Sequence, residues 1–150
     1  MRNHLVLRVI AKLLIPFILV FALYVQFHGD YGPGGGFQAG VIFAVAFILY
    51  ALIYGLENAR RVMPPTWLRA GTALGVLIYA GTGIATMFLG GKFLDYSRLA
   101  HDASHGQHYG IIAVEFGVGL TVASVMVTIF FVFAGRHRLT DEDPDEETGA

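Results

Sequence analysis

The sequence "HGDYGPGGGFQAG", residues 28–40, lies between two long apolar runs and connects them through a glycine-rich segment. Six of its thirteen residues are glycine and one is proline. Glycine-rich loops often hold phosphate groups, but they also form tight turns and let backbones approach each other closely. The surrounding sequence decides between these functions.

The composition of the chain is typical of a membrane protein. Of its 150 residues, 55% are hydrophobic and only 14% are charged, whereas a soluble domain has about 25% charged residues. The apolar residues form four blocks, and a helix needs about 20 such residues to cross the hydrocarbon of a bilayer. We therefore expect an all-α membrane protein whose transmembrane domain, residues 1–138, has helices at about residues 9–27, 37–56, 70–90 and 110–134.

The first block is the weakest of the four, because Lys12 interrupts it. A lysine near the end of a membrane helix can extend its ammonium group to the head groups, so the block can still span the bilayer. A signal peptide is the alternative interpretation. The bulky residues 24–28, "YVQFH", provide no small-x-small cleavage site, which favours a retained helix.

The basic residues predict the orientation of the four helices. With both termini in the cytoplasm, eight of the ten Lys and Arg residues lie on the cytoplasmic side, as the positive-inside rule requires. The glycine-rich loop then lies on the extracellular or periplasmic side of the membrane. The eight residues are Arg2, Arg8, Lys12, Arg60, Arg61, Arg69, Arg136 and Arg138. Residues 139–150 are strongly acidic, and we expect them to form a disordered tail.

Several classes of function are excluded or disfavoured by what the chain lacks. It has no cysteine, which excludes disulfides and thiolate metal sites, and its net charge of -1 disfavours nucleic-acid binding. A phosphate-binding loop of the P-loop type needs a lysine followed by a hydroxyl residue, and no basic residue lies between Lys12 and Arg60. The connecting segments leave no room for a soluble catalytic domain. We expect no enzyme activity, no cofactor and no resident metal.

Glycines recur at short spacing in three of the four blocks. Small residues at such spacing allow another helix to approach closely. The pattern predicts tight helix packing, either within the chain or against other chains. The spaced glycines are Gly32, Gly36 and Gly40, then Gly71 and Gly75, and finally Gly117 and Gly119.

The glycine-rich loop also resembles the signature of a known family. Residues 28–52, "HGDYGPGGGFQAGVIFAVAFILYAL", are similar to the motif of the MnhB (MrpB) family, small membrane subunits of Mrp-type multisubunit Na+/H+ antiporters. The order of His28 and Gly29 is inverted relative to the commoner Gly-His of that motif. The four-helix plan extends the resemblance to about residues 5–138. The matching motif residues are Pro33, Gly34, Gly35, Gly36, Phe37 and Gly40.

The resemblance implies a non-catalytic subunit of a large assembly in a bacterial or archaeal cell membrane. Such an assembly exchanges cytoplasmic Na+ for external H+, and its MnhB component works together with other membrane subunits. An ion-pumping membrane-bound hydrogenase, or a related assembly similar to respiratory complex I, is the alternative. A stand-alone channel or carrier made of several copies is less favoured, because a carrier is expected to keep several ionisable groups inside the membrane.

Glu115 is the main candidate for the ion path, because it is the one charged residue in the fourth block. It lies about 7 to 8 Å along the helix axis from the start of that block at 1.5 Å per residue. An ionisable group at such a depth faces a protein interior or water. It is either a relay that exchanges protons or Na+, or a structural acid that hydrogen-bonds a neighbouring helix.

Two further residues could extend an ion path outward from Glu115. His108 lies seven residues earlier and would share its helix face, which makes it a candidate entry point for protons. Asp30, in the glycine-rich loop, could attract cations, although a solvated loop acid is the simpler interpretation. His101 and His105 have the i, i+4 spacing of some zinc ligands, but Gly106 disfavours a helix there.

Overall fold

The computed structural model describes residues 5–29 and 32–142, with side chains as far as Arg136. These residues form five α-helices, one short 3₁₀ turn and no strand. Four of the helices are long and apolar enough to cross a membrane, which confirms the predicted all-α, four-span fold. The elements are α1 (Leu5–His28), α2 (Gly36–Tyr54), α3 (Leu56–Val62), α4 (Pro65–Phe88), the 3₁₀ turn Tyr96–Arg98, and α5 (Ala103–Glu142).

The helices differ from the apolar blocks mainly at their ends. The last helix, α5, has 40 residues, and it extends beyond the block 110–134 in both directions. Apolar residues mark only the part of a helix that contacts hydrocarbon, whereas backbone hydrogen bonding continues into polar sequence. Residues 139–142 of the predicted tail are therefore helical, and residues 143–150 lie outside the described part of the chain.

Glycine and proline residues define where the central helices begin and end. Gly35 precedes α2 with φ +125°, and Gly55 follows it with φ +93°. Both values lie in a region that residues with a Cβ rarely adopt. Pro65 occupies the first turn of α4, where its missing N–H has no intrahelical partner to lose.

The longest helix, α5, forms the centre of the bundle. It packs against α2 on one side and α4 on the other, whereas α1 packs mainly against α2. The buried cluster that joins the helices consists mostly of small and aliphatic side chains. Most large apolar residues of α1 are exposed, as expected for a surface that contacts lipid or another subunit. The cluster comprises Ala44, Ala51, Ala59, Leu68, Val127 and Phe131.

Pairs of glycines form the helix crossings. A Cβ on Gly40 of α2 would lie 2.6 Å from the carbonyl oxygen of Gly119 on α5. On the other side of α5, a Cβ on Gly117 would lie 2.8 Å from the carbonyl oxygen of Gly75 on α4. Real Cβ atoms do not approach this closely, so each crossing requires glycine. The close approach that the glycine spacing predicted therefore occurs within this chain.

Two further glycines, both in α5, contact the loop between α4 and α5. Gly106 and Gly110 belong to α5, although we expected glycine to disfavour a helix in this region. The ring of Tyr96 lies where a Cβ on Gly110 would be, and the carbonyl oxygen of Tyr96 lies against Gly106. The buried hydroxyl of Thr86 anchors the same loop, because it accepts a 3.0 Å hydrogen bond from the Leu94 N–H.

Two alanine substitutions in α4 test whether the crossing depends on glycine. Gly75→Ala should destabilise the folded chain by about 1–3 kcal/mol, because the new methyl group overpacks a filled contact. Gly81→Ala is the matched control, since a Cβ there meets nothing within 4 Å. Thermal unfolding in detergent should show a lower Tm for the first variant and an unchanged or higher Tm for the second. Equal Tm values for both variants would contradict this account of the crossing.

Candidate functional site

The glycine-rich loop folds back on the end of α1. The N–H of Gly35 donates to the carbonyl oxygen of Val25 at 3.3 Å, and the N–H of Gly32 donates to that of His28 at 3.1 Å. A Cβ on Gly34 would lie 2.8 Å from the Val25 oxygen. The loop is therefore a tight reversal that packs against the last turn of α1.

The carboxylate of Glu115 occupies the space that the loop glycines leave open. Its Oε2 atom lies 2.8 Å from where a Cβ on Gly29 would be, and its Oε1 atom lies 3.3 Å from that position on Gly35. A Cβ on Gly36 would collide with the main-chain carbonyl oxygen of Glu115. Helix α5 thus rests directly on the loop, and the half-buried Glu115 side chain lies across it.

The position at the start of α2 is electrostatically favourable for a carboxylate. The first N–H groups of an α-helix have no intrahelical partner, and the helix dipole places partial positive charge there. The N-cap residue of α2 is Gly35, which has no side chain of its own with which to cap this helix end. The Glu115 carboxylate therefore lies where a helix terminus favours an anion.

The depth of Glu115 follows from the length of α2. Its 19 residues span about 29 Å, which is close to the full thickness of the hydrocarbon layer. A helix of this length that crosses the hydrocarbon layer would have its first residue, and Glu115 beside it, near one boundary of that layer.

Gln26 is a polar residue of this region to which the sequence pattern gave no special weight. Its side chain is 8% exposed, and its Oε1 atom lies 2.7 Å from where a Cβ on Gly119 would be. It lines an apolar cavity of about 260 Å³ between α1, α2 and α5, with Phe43 and Phe116 among the other lining residues. Only the folded arrangement of the three helices reveals this cavity.

Two of the three candidate histidines, His105 and His108, lie near the N-terminal end of α5. His108 and Glu115 belong to the same helix, and their spacing of seven residues puts them on one face, about 10 Å apart along the axis. His101 precedes the helix and is exposed, so it does not share a helix face with His105. His105 instead lies 3.4 Å from the carboxylate of Asp102. Among the side chains that the structure describes, residues 5–29 and 32–136, no three acidic or histidine groups converge on a possible metal site.

The predicted loop acid, Asp30, lies outside the described residues. The loop between α4 and α5 provides another acid at the same end of the bundle, Asp95. The hydroxyl of Ser97 hydrogen-bonds the Asp95 carboxylate and, as the largest influence, lowers its pKa, which keeps this group anionic. The Asp-x-Ser spacing was the available sequence signal, because an aspartate side chain commonly hydrogen-bonds the backbone two residues further on, as Asp95 also does with Ser97.

Comparison with known proteins identifies the family. The family model described as "Domain related to MnhB subunit of Na+/H+ antiporter" matches residues 6–128. "Putative antiporter subunit mnhB2" of Staphylococcus haemolyticus strain JCSC1435 is 36% identical over 136 residues, which cover 89% of this chain and 96% of that protein. The protein of the same name from Staphylococcus aureus strain Newman has the same identity and coverage. The chain belongs to the MnhB family, as its glycine-loop motif predicted.

Proposed function

We propose that this chain is a non-catalytic membrane subunit of a multisubunit Na+/H+ antiporter in which Glu115 exchanges ions or protons. The family match and the names of the relatives support the assembly. The observation that carries the role of Glu115 is the position of its carboxylate in the space where Cβ atoms on Gly29 and Gly35 would lie. The other subunits of the assembly, the lipid bilayer, Na+ and H+ are its partners.

The surroundings of the Glu115 carboxylate support an exchangeable acid. A fully buried acid would be cut off from ions, and a fully exposed one would not control them. Glu115 is half-buried and lies near one boundary of the hydrocarbon layer. Because Gly29 and Gly35 carry no side chains, the carboxylate lies directly beside the loop, which belongs to the end of the bundle where we propose that ions enter.

His108 and Asp30 extend the proposed path toward the outside. His108 lies on the Glu115 face of α5 and is half-buried. An imidazole can accept a proton at one ring nitrogen and release one at the other, so it can pass protons toward a carboxylate on its own helix face. Asp30 belongs to the loop on which Glu115 rests, and a carboxylate there attracts cations to the entrance.

The family match favours the antiporter over the other assemblies considered. The two relatives described above are both named as antiporter subunits, which favours an antiporter over a hydrogenase. A stand-alone carrier made of several copies of this chain would need more ionisable groups inside the membrane than the described helices contain. We place both termini in the cytoplasm, because this orientation satisfies the positive-inside rule for eight of ten basic residues.

Substitution of Glu115 tests its role directly. Glu115→Gln preserves the shape of the side chain but removes the exchangeable proton. We expect a normal amount of assembled complex, with antiport per complex reduced about a hundredfold, the scale of losing a proton-transferring group. The deficit should be greatest at alkaline pH, where external protons are scarce. Glu115→Asp, which retains a carboxylate, should keep partial activity.

Antiport in inverted vesicles, divided by the amount of assembled complex, provides the measurement. Asp102→Asn is the matched control, because it removes an exposed outer acid away from the glycine loop and should leave antiport unchanged. A structural acid predicts the reverse pattern for Glu115: normal antiport per complex in the Gln variant and lost assembly in Glu115→Leu. That pattern would contradict a role for Glu115 in relaying ions or protons.

The orientation has its own test, which the lack of cysteine simplifies. Ser104 and Thr66 are exposed residues near opposite ends of the bundle. Ser104→Cys should react with an impermeant thiol reagent added to intact cells, and Thr66→Cys should react only after permeabilisation. Neither change alters the charges that determine topology. Labelling of Thr66→Cys alone in intact cells would reverse the orientation.

A further inference from the structure

A basic cavity lies at the end of the bundle opposite the glycine-rich loop. It has a volume of about 300 Å³ and is formed by α3, the start of α4 and the inner end of α5. Two arginines line it, Arg60 from α3 and Arg69 from α4, and none of its described lining residues is acidic. The cavity is therefore a concentrated positive site at the point where membrane helices end.

The two arginines differ in how they are held. One guanidinium nitrogen of Arg60 donates to the main-chain carbonyl oxygen of Phe131 at 3.2 Å, which fixes the head group at the cavity wall. Among the described residues, Arg69 forms no hydrogen bond or ion pair, so its five N–H donors are all open.

The floor of the cavity is apolar. Leu68 and Phe131 are 3% and 4% exposed and form its inner surface, whereas Val132 is 61% exposed and continues that surface outward along α5. A ligand that fills the site therefore needs an anionic group at the rim and hydrocarbon beside it. A soluble anion would satisfy the arginines but leave the apolar floor uncovered.

We propose that this cavity binds an anionic phospholipid, with its phosphate between Arg60 and Arg69 and the start of an acyl chain on Leu68, Phe131 and Val132. Guanidinium groups form paired hydrogen bonds with phosphate oxygens. The ends of membrane helices lie at the level of the phosphate layer, and basic pockets between such helices are suited to lipid head groups. Free phosphate shares the anionic chemistry but not the apolar contact.

Native mass spectrometry of the full-length chain tests this site. The detergent-solubilised protein is mixed with equal amounts of phosphatidylglycerol and phosphatidylcholine, and the retained lipid is counted. The wild type should retain mainly phosphatidylglycerol. Arg69→Gln should reduce this adduct about fivefold, the effect of losing about 1 kcal/mol of lipid attraction per arginine. Because Arg69 forms no hydrogen bond or ion pair in the described chain, its substitution should not affect folding.

Arg61→Gln is the matched control, since Arg61 is an exposed arginine of α3 that does not line the cavity. Its lipid adduct should equal that of the wild type. An equal loss of the phosphatidylglycerol adduct in both variants would show that only diffuse surface charge attracts the lipid. Equal retention of phosphatidylglycerol and phosphatidylcholine would show that the site has no preference for an anionic lipid. Displacement of phosphatidylglycerol by inorganic phosphate would show that the site binds the free anion. Each of these three results would overturn the proposal, and none depends on antiport.

Discussion

The contact between α5 and the first turn of α2 is the constraint on which the rest of the structure depends. At Gly36 the main chain of α2 meets the main-chain oxygen of Glu115, with no space for a side chain. One turn further, Gly40 meets Gly119 in the same way, and on the opposite side of α5 Gly117 meets Gly75. Helix α5 is thus held between α2 and α4 by backbone contacts, which is how helices associate in a membrane, where hydrocarbon offers no hydrophobic driving force.

The same contact explains why the loop is rich in glycine. The main chain around Gly29, Gly35 and Gly36 is left bare, as it is in loops that bind phosphate. The group that lies against it is the chain's own carboxylate, from Glu115, at the N-terminus of α2. The same glycines therefore permit the helix crossing and make room for the Glu115 side chain. Glu115 is the only charged residue in the apolar block 110–134 of α5.

The number and type of the membrane helices could be predicted from the sequence, because the length of each apolar block matches the thickness of hydrocarbon. The family could also be predicted, because the Pro33–Phe37 segment is specific. Which helices lie side by side in the bundle could not be predicted from the sequence. Glu115 and Gly35 are 80 positions apart, and no periodicity in either segment indicates that they meet. The sequence analysis placed the ends of α5 too close together, because polar residues continue the helix beyond its apolar block. Gly110 belongs to this helix, and the Tyr96 ring fills the space beside it.

The central claim is that Glu115 is an exchangeable acid in the assembled antiporter. Infrared difference spectroscopy between acidic and alkaline pH measures this exchange directly, because a protonated carboxyl group and a carboxylate absorb at different frequencies. We expect a protonated-carboxyl band in the wild-type complex that disappears at alkaline pH and is missing from Glu115→Gln. Identical difference spectra for the wild type and this variant would contradict the claim.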